Sequence, residues 1–216
     1  MKLNFIAAAA LAAATTLPAQ AVLVTETGGI TGPTHTVDFE AFDGLRTSGP
    51  DTVSLSPLVV FTGDSSAELG ANGRDLGDNG VWGVGNLFAA AGVAGELRFT
   101  FAEGQASAAA GAFVNHYAFA GLPFSLALEV SAYGANNQII ETHSVTVATD
   151  PLGYNEGQFL GIARAQADIR SISFKGVGVV ADNLSFTTPV PEPGTWALML
   201  AGLAAVGFVG IRQRMG

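Results

Sequence analysis

The sequence of 216 residues contains no cysteine. This absence excludes disulfides, thiolate metal sites and a cysteine nucleophile. If the chain folds outside the cytoplasm, its stability must therefore come from a hydrophobic core or from bound ions, because covalent cross-links are not available.

Basic residues are also scarce in the body of the chain. Between Val22 and Val190 there are six lysines and arginines against seventeen aspartates and glutamates, which gives a net charge of −11. Because nucleic-acid phosphates are bound by clustered basic side chains, we expect no nucleic-acid partner. An acidic exterior suits solubility and the binding of cations.

The residues that nucleophilic catalysis requires are few. The only histidines are His35, His116 and His143, and no G-x-S-x-G motif is present. A hydrolytic triad needs a serine or cysteine held against an oriented base, and a zinc site usually needs closely spaced histidines. We therefore predict surface or packing roles for the histidines, and a protein that is not an enzyme.

Paired carboxylates offer a remaining route to catalysis. The stretch DFEAFD places Asp38 and Glu40 on one face of a predicted strand, where same-face neighbours are about 7 Å apart. That separation falls within the range used by glycosidases. Acids at the edge of a domain are more often simply solvated, so a glycan hydrolase ranks third among the functions we consider.

The N-terminus has the pattern of a secretory signal peptide. Lys2 precedes an apolar stretch over residues 3–17, and the sequence AQA places small residues at Ala19 and Ala21. This order predicts cleavage after Ala21 and export of the body from the cytoplasm. The alternative is a buried N-terminal helix. Residues 1–21 are therefore left out of the fold prediction.

The C-terminus has the pattern of a membrane segment. Residues 195–211 form a run without charge, close to the minimum length of about 17 residues for a spanning helix. Arg212 and Arg214 follow at once, and basic residues favour the cytoplasmic side. Trp196 lies where an aromatic side chain would meet the interface. We predict one transmembrane helix at 195–211 with the body outside.

A short proline motif precedes this helix. Pro191 and Pro193 disfavour a helical backbone, and Glu192 resists transfer into hydrocarbon. The tripeptide is therefore expected to be extended and exposed beside the bilayer. An accessible backbone at that position suits cleavage by a membrane-embedded peptidase.

The whole tail, VPEPGTWALMLAGLAAVGFVGIRQR, resembles the PEP-CTERM sorting signal. The resemblance implies recognition and removal by an exosortase in a Gram-negative bacterium that makes exopolysaccharide. It further implies a transient stay in the inner membrane before transfer to the outer surface or extracellular matrix. Pro191, Glu192 and Pro193 match the recognition motif, and Trp196 occupies a common aromatic position. The alternative is a plain membrane anchor that is never cut.

Residues 22–188 alternate apolar and polar residues in short runs separated by Gly, Pro, Asn and Asp. The alternation is clearest at Leu97, Phe99 and Phe101. The pattern predicts an all-β body in one domain, an antiparallel β-sandwich of jelly-roll type, followed by the sorting segment at 189–216. The predicted strands are 35–42, 52–61, 95–102, 124–134, 138–148, 157–163, 169–177 and 181–188.

Two segments of the body are predicted to be irregular. Residues 63–85 are rich in glycine and lack periodicity, which favours a long surface loop. Residues 106–119 contain many alanines, but Gly111 and the aromatic residues favour a loop that leads into a strand.

The body also resembles the compact β domains that precede this sorting signal, and its final stretch, IRSISFKG…VVADNLSF, is similar to the ends of jelly-roll carbohydrate-binding modules. The resemblance implies neighbouring first and last strands and a structural calcium between them. Calcium takes six to eight oxygen ligands. One candidate site pairs Glu40 with Asp182. The other is the loop NGRDLGDNG, which offers Asn72, Asp75, Asp78 and Asn79, although these residues also suit ordinary turns.

Exposed aromatic side chains could stack on sugar rings. Trp82 and Tyr154 lie in predicted loops, where binding residues concentrate, and Tyr117 and Tyr133 are further candidates. The alternative is that each packs on the core. We therefore expect an exported structural or interaction protein of an exopolysaccharide or biofilm matrix. A carbohydrate-binding module that grips the polysaccharide is the second reading.

Overall fold

The computed structural model describes residues 21–32, 34–42, 45–46, 52–64, 66–71, 87–117, 127–147 and 157–188. These residues form fourteen β-strands and two one-turn 3-10 helices, Thr27–Gly29 and Ala135–Asn137. All strand pairs are antiparallel and make two sheets, which confirms the all-β prediction. Apart from Ala21, the predicted signal peptide lies outside the described residues, and so do the sorting motif and the predicted membrane helix.

The larger sheet has eight strands. Their bounds are β1 Val22–Val24, β2 Thr34–Val37, β3 Leu45–Arg46, β6 Glu68–Ala71, β7 Phe88–Ala90, β9 Ala109–His116, β12 Gln158–Ala163 and β14 Val179–Thr187. They are ordered β1-β12-β9-β14-β7-β6-β3, and β2 also pairs with β14. The last strand of the body is therefore central in this sheet.

The smaller sheet has six strands. Their bounds are β4 Thr52–Ser56, β5 Val59–Gly63, β8 Ala94–Phe101, β10 Ala127–Tyr133, β11 Ile139–Thr146 and β13 Ser171–Val177. They are ordered β11-β10-β13-β8-β5-β4. Because side chains alternate between faces along a strand, one face of this sheet can be buried while the other meets solvent.

The core lies between the two sheets. On β8 the side chains of Leu97, Phe99 and Phe101 are buried and alternate with partly exposed neighbours, as the sequence pattern predicts. Phe101 of the six-stranded sheet stacks on Phe186 of the eight-stranded sheet, with ring centroids 4.7 Å apart. Burial of each such ring contributes about 1.5–3 kcal/mol. The phenylalanines thus join the two sheets into one sandwich.

Six of the eight predicted strands are confirmed with shifts of a few residues at their ends: β8, β10, β11, β12, β13 and β14. The strands β1, β3 and β7 were not predicted. Each has only two or three residues, which is too short for an alternating pattern to appear.

The predicted strand at 52–61 is wrong, because this segment is a hairpin of β4 and β5. Pro57 lies in the turn, where its fixed φ angle favours a reversal of the chain. The hydroxyl of Ser56 accepts a hydrogen bond from the backbone N–H of Leu58 at 3.2 Å, which closes the turn. The strand-favouring residues on both sides of Pro57 make the two strands look like one in the sequence.

The predicted strand at 35–42 is only half right. The strand β2 ends at Val37, and the next residues form a turn in which Phe42 N–H donates to Phe39 O at 3.1 Å. Phe39 is buried in the core and draws the chain inward at this point. Asp38 and Glu40 therefore do not share a strand face, which removes the geometric basis for a paired-carboxylate site.

The predicted long loop at 63–85 contains one strand, β6, and residues 72–86 lie outside the described part of the chain. The alanine-rich segment at 106–119 enters the strand β9, as predicted. The strand β2, within the first predicted strand, pairs with the last strand β14, so the predicted neighbourhood of first and last strands is confirmed.

Candidate functional site

The outer face of the six-stranded sheet carries a row of polar side chains. Ser131, Ser173, Arg98 and Thr62 lie opposite one another on the successive strands β10, β13, β8 and β5. Toward one end of these strands lies an open groove of about 500 Å³. It is lined by Thr62, Arg98, Thr100, Glu103, the segment 134–137, Arg170 and Ser171.

Arg98 is held in place from several sides. Its guanidinium lies 3.8 Å from the centre of the Tyr133 ring, a cation–π contact. Its Nε and Nη2 donate to the hydroxyl of Ser171 at 3.1 and 2.7 Å, and Nη2 also donates to the side-chain oxygen of Asn137. All these partners are uncharged, so they orient the guanidinium without neutralising it.

Tyr133 is fixed below Arg98. Its hydroxyl donates to Glu96 Oε1 at 3.2 Å and lies 3.4 Å from the hydroxyl of Ser173. The register between β10 and β11 shifts between Ala132 and Tyr133, at the point where the strand meets the turn. Tyr133 does not line the groove itself, and it acts on the groove through its contact with Arg98.

The wall of the groove is the turn between β10 and β11. Asn136 and Asn137 have φ angles of 61° and 63°, in the left-handed region that asparagine tolerates better than most residues. The N–H of Gly134 donates to Gln138 O at 2.9 Å and closes the turn. This backbone shape brings the amide of Asn137 to Arg98.

Arg170 lines the groove just before β13 begins. Its N–H donates to Tyr133 O at 2.7 Å, and its carbonyl accepts from Phe101 N at 2.9 Å. The backbone of Arg170 is thus fixed between the ends of β8 and β10. Within the described residues, neither Arg98 nor Arg170 forms an ion pair with a carboxylate.

Arg164, which directly follows β12, is different. It donates to both carboxylate oxygens of Asp168, from Nε at 2.5 Å and from Nη2 at 2.8 Å. The hydrogen bond to Asp168 raises the pKa of Arg164 above its ordinary value. Arg164 is therefore a neutralised structural arginine, whereas no carboxylate of the described residues forms an ion pair with Arg98 or Arg170.

Glu40 and Asp182, the first predicted calcium pair, already have partners in the protein. Glu40 is exposed, and its Oε1 accepts from Leu87 N at 3.1 Å. Asp182 is buried and accepts from Asn183 N at 2.7 Å, at a bulge where Asn183 has a φ of 50°. In the part of the chain that the structure describes, no three His, Cys, Asp or Glu side chains cluster as metal ligands. Asn72, Asp75, Asp78 and Asn79 lie outside that part, so the calcium site stays a prediction.

Trp82 and Tyr154, the predicted sugar-stacking residues, also lie outside the described residues. Tyr117 is buried, and its hydroxyl donates to Ala91 O at 2.9 Å, so it packs on the core. The histidines are separate from one another. His35 stacks on Phe186, His116 is buried with Nδ1 2.7 Å from Val177 O, and His143 lies 3.1 Å from Glu141.

A second polar cluster ties down the end of β14. The hydroxyl of Ser107 donates to Ala109 O at 2.6 Å and lies 2.9 Å from the hydroxyl of Thr187. Thr187 Oγ1 also accepts from Ala108 N at 2.9 Å, and the N–H of Thr187 donates back to Ser107 at 3.1 Å. Both side chains are buried. The body is therefore anchored immediately before the sorting segment.

Sequence reasoning missed the arginine groove. The available signals were an arginine in a polar position of the alternating strand GELRFTF and the Asn-Asn pair after Tyr133. Neither signal reveals that the two segments meet. No helix among the described residues is long and apolar enough to cross a membrane.

The comparison with known proteins identifies the C-terminal tail but gives little information about the β-sandwich body. Residues 189–214 match the model of the PEP-CTERM protein-sorting motif, which confirms the predicted resemblance. The match includes Pro191, Glu192, Pro193, Trp196, Arg212 and Arg214. Such a motif implies export, a membrane-anchored C-terminal sorting signal and processing by an exosortase. Among curated proteins there is no significant match.

Two solved structures are similar to this chain at a low level. A DUF4465 family protein from Bacteroides caccae ATCC 43185 has 9% sequence identity and a TM-score of 0.46, over 79% of this chain and 100% of that one. The CBM22-1–GH10 modules of Clostridium thermocellum xylanase 10B, complexed with xylohexaose, have 13% identity and a TM-score of 0.32, over 72% of this chain and 29% of that one. Similarities at this level say nothing about ligand or function.

Proposed function

We propose that this protein is a non-enzymatic component of the outer surface or extracellular matrix of a Gram-negative bacterium that produces exopolysaccharide. The observation that carries this proposal is the PEP-CTERM motif at residues 189–214. In this role the β-sandwich is the part that remains in the matrix, and the tail serves transport.

The position of the tail favours a body held close to the membrane before cleavage. The strand β14 ends at Thr187, and the predicted membrane helix begins at residue 195. The segment 188–194 between them spans at most about 25 Å when extended. Because β14 is central in its sheet and Thr187 is bonded to Ser107, removal of the tail leaves the body intact.

The processing step is tested by the intact mass of the protein released from the cell surface. We expect a species that lacks residues 1–21 and the segment 195–216. A variant with Glu192→Ala and Pro193→Ala should accumulate uncut in the inner membrane, because the recognition motif is lost. Thr188→Ala, which lies just before the matched segment 189–214, is the control and should be released normally. Released wild-type protein that retains residues 195–216 would overturn the proposal.

The non-enzymatic role has its own test. Glu40 is the residue whose loss would matter most to a hydrolase, and in the structure its carboxylate accepts a backbone N–H. We expect no turnover of a panel of glycans by the wild-type protein. Turnover that disappears in Glu40→Gln would replace the matrix role with a glycan hydrolase.

A second candidate function is a carbohydrate-binding module that grips the matrix polysaccharide. The groove on the six-stranded sheet favours it, because it combines hydroxyl, amide and guanidinium groups on an open surface. Trp82 and Tyr154 remain candidate stacking residues for this function. Retention of the protein on a polysaccharide column, lost in Trp82→Ala or Tyr154→Ala, would support it.

A further inference from the structure

The arginine groove stands out because of its charge. The body carries a net charge of −11 between Val22 and Val190, so anions are repelled from most of its surface. Arg98 and Arg170 nevertheless line one groove, and no described carboxylate pairs with either of them. With two arginines and one carboxylate, Glu103, in its lining, the groove carries more positive than negative groups and is a local exception to the acidic body.

The geometry of Arg98 suits an anionic ligand. Ser171 and Asn137 occupy its Nε and Nη2, and Tyr133 supports one face of the guanidinium. Its Nη1 makes no hydrogen bond to the described residues. A guanidinium held in this way keeps donors available and loses little side-chain entropy when a carboxylate binds. Arg170, whose backbone is fixed by β8 and β10, supplies the second charge.

The other groups around the groove suit a ligand rich in hydroxyls. Thr62, Thr100 and Asn136 offer hydroxyl and amide groups that can both donate and accept hydrogen bonds. Glu103 is an acceptor only, so it can bind a ligand hydroxyl but disfavours a second anionic group beside it. Because the lining contains no large apolar side chain, a ligand here would be held by hydrogen bonds and charge.

We propose that this groove binds the carboxylate of a uronic acid unit in an acidic polysaccharide, through Arg98 and Arg170. The inference rests on the proposed function only for the source of the ligand, which is the exopolysaccharide around the cell. The binding itself is a property of the folded body and does not depend on whether the tail is processed.

The test uses full-length protein in detergent and two matched probes, polygalacturonate and its carboxyl-reduced, neutral derivative. A chelator is present throughout, because calcium could bridge two acidic polymers. We expect the neutral derivative to bind at least about tenfold more weakly, since a charge-assisted hydrogen bond to a carboxylate is lost. Equal binding of both probes would overturn the proposal.

Variants locate the site on the protein. Arg170→Gln should weaken polygalacturonate binding about tenfold. Arg98→Lys keeps the charge but loses the planar fork, and should also weaken binding. Lys175→Gln is the matched control, because Lys175 is an exposed cation of β13 that does not line the groove. If Lys175→Gln caused the same loss, diffuse charge would explain binding and the site would be wrong.

Two further measurements distinguish loss of binding from loss of folding, and a polysaccharide ligand from an acidic peptide. If the melting temperature of Arg98→Lys falls, Arg170→Gln alone decides, because the side chain of Arg170 has no structural partner among the described residues. Polyglutamate tests the other class of ligand, and tighter binding of polyglutamate than of polygalacturonate would assign the groove to an acidic peptide. Failure of these assays leaves the mass of the released protein unchanged, so it is distinguishable from failure of the sorting proposal.

Discussion

Several strands of the two sheets differ in how far their outer side chains are buried. In the eight-stranded sheet β9, β12 and β14 are buried along almost their whole length, on both faces. In the six-stranded sheet β8 and β11 alternate, and their outer side chains are exposed or half-buried. Strands that are buried on both faces serve as a scaffold, whereas strands with an exposed face can contact a ligand.

The outer face of the larger sheet is covered by the N-terminal segment. Val24 and Ile30 pack with Ala109 and Phe159 there. Phe159 also contacts Phe113 edge to face, with centroids 5.3 Å apart. Both ends of the body, β1 and β14, belong to this sheet. The larger sheet therefore leads into the tail, whereas the smaller sheet carries the groove that the described residues form.

The largest expected effect comes from adding one methyl group to a strand of each sheet by a glycine-to-alanine substitution. Gly161 of β12 faces Gly111 of β9, and a Cβ at Gly161 would lie 2.5 Å from Ala110 O. A Cβ at Gly176 of β13 would find no atom closer than 3.4 Å. We expect Gly161→Ala to lower the free energy of unfolding by about 1–3 kcal/mol, because the strands must separate. Gly176→Ala should change it by less than about 1 kcal/mol.

Urea unfolding of the two variants measures this effect. Equal stability changes in Gly161→Ala and Gly176→Ala would mean that the tight backbone approach in the larger sheet does not constrain the fold. The strands of the larger sheet would then be no more closely constrained than those of the smaller sheet.

A smaller effect is expected at the hydroxyl cluster that anchors β14. Ser107→Ala removes a buried hydroxyl and leaves the N–H of Thr187 without that acceptor. The expected loss in the free energy of unfolding is about 1–1.5 kcal/mol, at the lower end of the cost of an unsatisfied buried donor. Ser144→Ala, on the exposed side of β11, is the counterpart in the smaller sheet and should change stability by less than about 0.5 kcal/mol. Thermal melts of both variants compare the buried and the open serine, and a neutral Ser107→Ala would show that β14 needs no such anchor.

The smallest effect is expected at the paired arginine. Arg164→Met removes an ion pair with Asp168, whose side chain is 36% exposed, so the cost should be only about 0.5–1 kcal/mol. Because the pKa of Arg164 is raised, the stability it contributes is present below its unfolded pKa and lost only in strong alkali. Melts between pH 6 and 9 should therefore show no step from this group. A loss several times larger would mean that Arg164 holds β12 to the rest of the fold.

The elements that sequence patterns predict best are those whose signal is local. Leu97, Phe99 and Phe101 alternate within one strand, so β8 and its buried face can be predicted. The hairpin of β4 and β5 is not predicted, because a single proline marks the turn and β-type residues continue on both sides of it. The turn at Phe39 was missed because an inward phenylalanine looks the same in a strand and in a turn. Short strands such as β3 form only because a neighbour provides hydrogen bonds.

The sorting tail could be identified from the sequence alone, since prolines, an apolar run and terminal arginines act through their own chemistry next to a bilayer. The all-β character of the body follows in the same way from alternation along the chain. The arginine groove is different, because Arg98, Tyr133 and Arg170 come from distant segments that meet only when β8, β10 and β13 pair. Strand order decides which side chains share a face, and it depends on the packing of the whole core. For that reason the sorting signal can be identified from the sequence alone, while the groove appears only in the folded sandwich.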